Sequence, residues 1–202
     1  MSKFAKIKNR PDQRKHETTS CLAEGVLSSN QNRKTPPKIP KSHLGEGGRI
    51  FRRGVSMLIT NNRNEFLIIN LQSFEDRFFA IPGGGIEKNE SLIDAAYREI
   101  QEELGIRKSF LEFVGKCKKP NKFTFKVKKL NRNGIIYDGQ ERYFLGFKFT
   151  GSDREIKLQP EEVRKYKWVA CKNLKNYLLF DSQLQSTLEK LLELFPNAYN
   201  EK

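Results

Sequence analysis

Cysteine, histidine and tryptophan are scarce in this chain, which has three, two and one of them among its 202 residues. The three cysteines, Cys21, Cys117 and Cys171, are odd in number and widely spaced. With so few histidines beside them, neither a disulfide framework nor a structural zinc site is expected. Chains without disulfides are typical of reducing compartments. We therefore expect a cytoplasmic protein.

Long apolar runs are also missing. No stretch reaches the roughly 20 residues that span a bilayer, and the start of the chain has no signal-peptide core. The mean hydropathy of −0.69 indicates a soluble protein with no membrane partner. The basic start, MSKFAKIKNR, is compatible with organelle targeting, but Asp12, Glu17 and Glu24 count against that interpretation.

Acidic residues are outnumbered, with 24 Asp and Glu against 38 Lys and Arg and a formal net charge of +14. The excess is present both in residues 1–48, which hold ten basic and four acidic residues, and in the remainder. A surplus of this kind favours a polyanionic partner, nucleic acid or nucleotide. Basic residues that serve solubility alone would produce the same composition.

Residues 1–48 show no sustained apolar period. They are rich in Lys, Asn, Ser, Thr and Pro and end in KTPPKIPKSHLGEGG. A segment that cannot bury apolar surface does not offset its chain entropy. We predict a disordered basic tail over residues 1–48, followed by one domain over residues 49–202.

The domain alternates β-rich runs with two helical periods. Helices are predicted at about 91–104 and about 182–195, from apolar residues recurring at helical spacing. The predicted strands are GVSMLIT, EFLIINL, RFFAIP, LEFVG, KFTFKVK, RYFLGFKFT and YKWVA. Strands around a central helix, with another helix at the end, predict an α+β fold or an α/β/α sandwich.

The first of these helices is unusually acidic. The stretch GGGIEKNESLIDAAYREIQEELGI, residues 83–106, holds six of the 24 acidic residues. Ser91 and Asp94 have the spacing of a capping box. Glu99, Glu102 and Glu103 fall within an arc of about 100°, although like charges repel and a helix C-terminus prefers cations. Because carboxylate oxygens suit hard cations, this cluster predicts a site for Mg²⁺ or Mn²⁺.

The segment before the helix is rich in glycine. Gly83, Gly84 and Gly85 permit close backbone approaches that side chains forbid. An ion pair between Glu90 and Arg98 would tie this loop to the helix and hold it beside the metal site.

These residues resemble the Nudix box, in which G, E, R-E, an aliphatic residue, E-E, G and a further aliphatic residue stand at fixed spacing. The matching positions are Gly84, Glu90, Arg98, Glu99, Ile100, Glu102, Glu103, Gly105 and Ile106. The resemblance covers about residues 50–195. It implies the α+β fold of the family, a Nudix-type α/β/α sandwich with a mixed β-sheet, and hydrolysis of a nucleoside diphosphate linked to another group. The alternatives are a surface helix with solvated acids and a Nudix fold that binds without cleaving.

The resemblance also implies a mechanism. Glu99, Glu102 and Glu103 would hold the divalent ions, and a water molecule would attack phosphorus. The general base is not specified by the box, so Glu102, Glu103 and a later acid are candidates. Glu161 and Glu162 are the external acids considered, with Glu162 preferred, and two solvated loop acids are the alternative.

Two later stretches resemble the RNA pyrophosphohydrolase and dinucleoside polyphosphate hydrolase branch of the family. The matching positions are Gly139, Gln140, Tyr143, Phe144, Pro160, Glu162 and Trp168. One departure is Gly83, where the RNA-processing members usually carry Gln. The resemblance implies a 5′-triphosphorylated RNA end or a dinucleoside polyphosphate as substrate. Alternatives are a sanitising hydrolase of damaged nucleoside triphosphates and a non-catalytic RNA- or nucleotide-binding module.

A basic strand supports a large anionic substrate. Between Lys116 and Arg132 there are eight Lys and Arg and no acid. In KFTFKVK, Phe123, Phe125 and Val127 alternate with polar residues, which gives a strand one apolar and one partly cationic face. We predict that the two phenylalanines lie in the core. The lysines either contact phosphates or form a solvated face. The candidate substrate-binding residues are Arg53, Lys126, Lys128, Gln140 and Tyr143, and the oligomeric state stays open.

Overall fold

The computed structural model describes residues 46–130, 134–180 and 182–198. The predicted tail, residues 1–48, lies outside these ranges except for a short 3-10 turn at Glu46–Gly48. Arg132, the last cation of the predicted basic strand, also lies outside the described residues.

The centre of the domain is a six-stranded mixed sheet. Its strands are β1 (Phe51–Thr60), β2 (Glu65–Leu71), β3 (Leu111–Lys116), β4 (Asn121–Leu130), β5 (Ile136–Phe149) and β6 (Val163–Ala170). The order across the sheet is β3-β5-β1-β2-β6, and β4 pairs with β5 beside β3. β1 and β5 are parallel, and the other pairs are antiparallel.

Each face of the sheet is covered by a helix. Ile100 of α1 (Leu92–Leu104) packs with Val55 and Met57 on one face. Leu191 of α2 (Gln183–Leu194) packs with Leu58 on the other face. Because successive residues of β1 point to opposite faces, this strand reads as one apolar run. The predicted α/β/α sandwich is confirmed. Among the described residues, no helix is long and apolar enough to cross a membrane.

The predicted strand RFFAIP is not a regular strand. It makes one isolated bridge, Ala80 to Ile69, and the glycine loop makes another, Gly85 to Gly54. Pro82 has no N–H to donate, so a continuous ladder cannot form through it. Its carbonyl still accepts from Met57 N at 2.9 Å. The glycine loop is thereby held against the edge of β1.

The prediction that Phe123 and Phe125 lie in the core is wrong, since neither belongs to an apolar core among the described residues. Phe123 is 47% exposed and Val127 is 77% exposed. Among the described strands β4 pairs with β5 alone, and a register shift between Thr124 and Lys129 interrupts the alternation on which the prediction rested. Within the described chain, neither apolar core includes a residue of β4. We call β4 and the β5 residues paired with it, 136–142, the basic ribbon.

Both ends of α1 are fixed by local hydrogen bonds. At its start, Ser91 Oγ accepts from Asp94 N at 3.1 Å. At its end, Gly105 is left-handed, with φ of 64°, and its N–H donates to the Gln101 carbonyl at 3.0 Å. A Cβ on Gly105 would lie 2.6 Å from the Lys157 carbonyl oxygen. Glycine is therefore required where the helix stops.

We predict that Gly105→Ala lowers the free energy of unfolding by more than about 2 kcal/mol, because a left-handed L-residue alone costs about 1–2 kcal/mol and the contact with Lys157 adds to it. Gly47→Ala is the matched control, since Gly47 has φ of 70° but nothing within 4 Å of its Cβ position. Urea denaturation measures both. Equal losses would show that the Lys157 contact contributes nothing.

Candidate active site

The glycine loop is pressed against the C-terminal half of α1. The Gly83 N–H donates to Glu103 Oε2 at 3.1 Å. A Cβ on Gly84 would overlap the carboxylate of Glu99. The two buried glutamates of the helix are therefore held by the backbone of the loop, and Gly84 must lack a side chain for them to approach.

Arg98 joins the loop to the helix. Its Nε and Nη2 donate to the two oxygens of Glu90 at 2.8 and 2.9 Å, and Nη2 also donates to the Gly85 carbonyl at 2.8 Å. The Arg98 hydrogen bonds hold the pKa of Glu90 below its usual value. The structure thus contains the ion pair that the sequence suggested, and its geometry is bidentate.

The same arginine also touches the acidic cluster. Its Nη1 donates to Glu99 Oε1 at 2.9 Å and to Glu102 Oε2 at 3.0 Å. A cation of the protein itself therefore offsets part of the repulsion among these carboxylates. Across the described ranges, no three Asp, Glu, His or Cys side chains are arranged as a ready-made metal site. Glu102 remains 57% exposed, whereas Glu99 is 13% exposed.

Glu99 and Glu103 are buried carboxyls with incomplete charge compensation. Burial and the charge of Glu99 raise the pKa of Glu103 to about 8. Burial also raises the pKa of Glu99, against the hydrogen bond from Arg98. Two buried carboxyl groups with an exposed third, Glu102, are oxygen donors suited to a hard divalent cation. These oxygen donors fit such an ion chemically, although the three carboxyl groups are not already arranged around a common point.

Glu162 approaches the site from another element. Gln159 N donates to the Glu103 carbonyl at 3.1 Å, and Glu162 N donates to the Gln159 carbonyl at 3.1 Å. These bonds bring the residue before β6 to the end of α1, and its charge contributes to the raised pKa of Glu103. Glu162 is exposed, as is Glu161.

Arg142 of β5 is a site residue that sequence reasoning missed. Its Nε donates to Ser56 Oγ at 3.0 Å, and its guanidinium lies where a side chain on Gly83 would be. Burial and neighbouring Arg52 lower its pKa to about 10, so it stays cationic at neutral pH, and the charges of Glu103 and Glu99 act in the opposite direction. A Cβ at position 83 would overlap both the Val55 carbonyl oxygen and the Arg142 guanidinium, so glycine is required there. No signal in the sequence set Arg142 apart, because other charged residues also lie in β5.

The other predicted substrate-binding residues lie along β1, β4 and β5. Arg53 donates from Nη2 to the Tyr143 hydroxyl at 3.0 Å and lies 5.0 Å from the centre of that ring. Gln140 is half-buried on β5. Lys126 is exposed on β4, and Lys128 pairs with Asp138 at 2.8 Å. Lys126 and Lys128 are therefore separated from the acidic cluster by several residues of the strand.

A family model of the NUDIX domain matches residues 50–191, which is more than half of the chain. The chain belongs to the Nudix family. It is a Nudix hydrolase that acts on pyrophosphate bonds. Nudix hydrolases generally use divalent metal ions, in agreement with the donors supplied by α1.

Two curated relatives are similar over most of the domain. The RNA pyrophosphohydrolase of Pelagibacter ubique is 30% identical over 153 residues, covering 71% of this chain and 93% of that protein. The RNA pyrophosphohydrolase of Bartonella henselae is 30% identical over 143 residues, covering 64% and 82%.

Solved structures show the same fold at lower identity. The Ap4A hydrolase of C. elegans, in a binary complex, has a TM-score of 0.53 and 19% identity, covering 69% of this chain and 94% of that one. The dihydroneopterin triphosphate pyrophosphohydrolase of E. coli has a TM-score of 0.52 and 18% identity, covering 70% and 97%.

We predict that Arg98→Lys lowers the free energy of unfolding by about 1.5 kcal/mol, because a lysine keeps the charge but cannot make the bidentate contact with Glu90. Arg63→Lys is the matched control. Arg63 also binds one carboxylate through two nitrogens, that of Glu65, but its side chain is 69% exposed. Its change should be about 0.5 kcal/mol or less. Guanidinium denaturation distinguishes the two, and equal shifts would argue against a tying role for Arg98.

Proposed function

We propose that this Nudix hydrolase is a metal-dependent RNA pyrophosphohydrolase, which removes diphosphate from a 5′-triphosphorylated RNA end and leaves a 5′-monophosphate. The observation that carries the proposal is the position of Arg142. It stands beside the Gly83 backbone, opposite the buried carboxyls of Glu99 and Glu103, and its strand continues outward as the basic ribbon. The names of the two curated relatives support the same substrate.

Glu99, Glu102 and Glu103 are the proposed ligands of Mg²⁺ or Mn²⁺. When bound, such an ion neutralises phosphate charge and lowers the pKa of a coordinated water molecule. Glu99 and Glu103 are held in place by the glycine loop. Glu102 is on the outer side of the helix, where its pairing with Arg98 competes with a ligand role.

The proposed reaction is hydrolysis of one phosphoric anhydride bond. The water oxygen forms a bond to phosphorus, and the bridging oxygen leaves with the diphosphate. The water proton passes to a carboxylate, for which Glu162 is the proposed acceptor. Glu162 is solvent-exposed and linked to Glu103 through the backbone of Gln159, so a proton taken there can pass to bulk water.

Arg142 is the proposed phosphate-binding cation. Its hydrogen bond to Ser56 fixes the guanidinium, and the half-buried setting strengthens its attraction to an anion. A guanidinium presents several donors in one plane and binds phosphate oxygens in pairs. Arg142 would therefore orient the polyphosphate against the carboxylates of α1.

The test of this function is product-resolved hydrolysis of 5′-triphosphorylated RNA with Mg²⁺ or Mn²⁺. We predict that the wild type releases diphosphate and that Glu103→Gln lowers turnover by at least about a hundredfold with the fold intact, because a metal ligand is lost. Glu112→Gln, a change at an exposed acid of β3, is the control and should act like the wild type.

Four outcomes would contradict the proposal in whole or in part. Cleavage of dinucleoside polyphosphates but not RNA would select the second substrate class. Cleavage of nucleoside triphosphates alone would select a sanitising enzyme, and RNA binding without any product would select a non-catalytic module. Near-normal turnover of a folded Glu103→Gln protein would remove Glu103 from the metal site.

The basic ribbon makes a separate prediction about salt. Each phosphate neutralised by a lysine contributes about −0.7 to the log–log slope of single-strand affinity against salt. Lys126→Ala combined with Lys128→Ala should weaken RNA binding and flatten the slope. Lys126 should account for more of the change, because Lys128 is paired with Asp138. Lys172→Ala with Lys175→Ala, which alters two exposed lysines outside β4, is the control.

Binding is measured with a 5′-triphosphorylated oligonucleotide across a salt series under non-cleaving conditions. Slopes that are identical for the wild type and the Lys126 and Lys128 double variant would show that these lysines are a solvated face.

A further inference from the structure

Three side chains from three neighbouring strands form a row on one face of the sheet. Gln140 of β5 is paired with Arg52 of β1 on one side and with Phe123 of β4 on the other. Directly opposite residues of paired strands point to the same face. Their face is the one that bears Ser56 and Arg142, not the one that α1 covers.

The row is accessible. Phe123 is 47% exposed, Arg52 is exposed and Gln140 is half-buried. The Phe123 ring contacts Phe125 at a centroid distance of 5.7 Å, but neither ring belongs to an apolar core. An aromatic ring open to solvent beside a cation and an amide is the composition of a surface that stacks and reads a nucleobase.

The row lies next to the proposed phosphate site. The adjacent row of the same face is Gly54, Arg142 and Asn121. Arg142 and Phe123 are thus diagonal neighbours, for which the Cα separation is about 7–8 Å. A ribose between a phosphate and its base bridges a gap of this order. A polyphosphate held at Arg142 therefore places the first base of its chain over Phe123.

The charge of this face suits a polyanion. Arg52 and Arg142 are cationic, and the acid of the following row, Asp138, is paired with Lys128 at 2.8 Å. A ribose–phosphate chain that leaves the row toward Lys128 would meet no unpaired acid among these residues. The face is complementary to a nucleic acid strand rather than to an acidic or neutral apolar partner.

We infer that Phe123, Gln140 and Arg52 form a subsite for the 5′-terminal nucleobase of the RNA. The base stacks on Phe123, the Gln140 amide hydrogen-bonds to its edge, and Arg52 contacts the phosphodiester that follows. This inference rests on the proposed function and adds a specificity-determining site to it. The three residues bind substrate and take no part in the breaking of bonds.

The test is a cycle that changes both the enzyme and the substrate. The substrates are two 5′-triphosphorylated oligonucleotides that differ only in the first position, which is either intact or abasic. The enzymes are the wild type, Phe123→Ala and Phe113→Ala. Phe113, on β3, is 44% exposed and is the matched control.

On the intact RNA, Phe123→Ala should raise KM about five- to a hundredfold with little change in kcat, the range expected for the loss of one stacked base. On the abasic RNA it should have almost no effect, since the partner is already missing. Phe123→Tyr should restore most of the affinity. The salt slope should be unchanged, because no charge is removed, and Phe113→Ala should act like the wild type on both substrates.

The inference is overturned if Phe123→Ala acts like Phe113→Ala, or if its effect on KM is the same for intact and abasic RNA. It is also overturned if the effect of Phe123→Ala disappears only on an RNA that is abasic at the second position instead of the first. These outcomes leave the proposed function standing as long as the wild type releases diphosphate from triphosphorylated RNA. If the wild type cleaves no RNA, the proposed function and the subsite both fail.

Discussion

The contact between the glycine loop and the carboxylates of α1 is the constraint on which the site depends. Gly83 donates to Glu103, and Gly84 leaves the space that Glu99 occupies. Neither contact tolerates a side chain on the loop, because a Cβ would meet a carboxylate, a carbonyl oxygen or the Arg142 guanidinium. The loop in turn is hydrogen-bonded to β1, so the acids of the helix are positioned by an interior strand of the sheet.

Arg98 neutralises part of the negative charge of these carboxylates, and burial leaves the remainder incompletely compensated. Arg98 spans Glu90, Glu99 and Glu102, so the acidic helix is partly neutralised by its own arginine. Burial raises the pKa of Glu103, although the Gly83 N–H donates to it and the charge of Arg142 acts in the opposite direction, so its charge is not fully compensated. A divalent ion would remove that imbalance, and this physical argument for the metal is independent of the family to which the chain belongs.

β5 connects the proposed catalytic site to the proposed substrate-binding surface. Its middle carries Arg142 into the site, its second half packs in the core through Phe147 and Phe149, and its first half leaves the core to pair with β4. A single strand thus joins the proposed phosphate-binding cation to an exposed basic and aromatic surface. The register of β1, β5 and β4 determines which side chains meet on that surface.

The sequence by itself determined the family, the sandwich and the contact between Glu90 and Arg98, because the spacing of a helix and the alternation of buried strands are local properties. Tertiary structure alone decided the rest. The exposure of Phe123 follows from the position of β4, which pairs with β5 and contributes no residue to either apolar core of the described chain, and no strand pattern encodes that position. The need for glycine at position 83 depends on two distant parts of the chain, the Val55 carbonyl of β1 and the Arg142 guanidinium of β5, which both lie beside it. Contacts between distant residues follow from strand pairing, and pairing is a property of the assembled sheet.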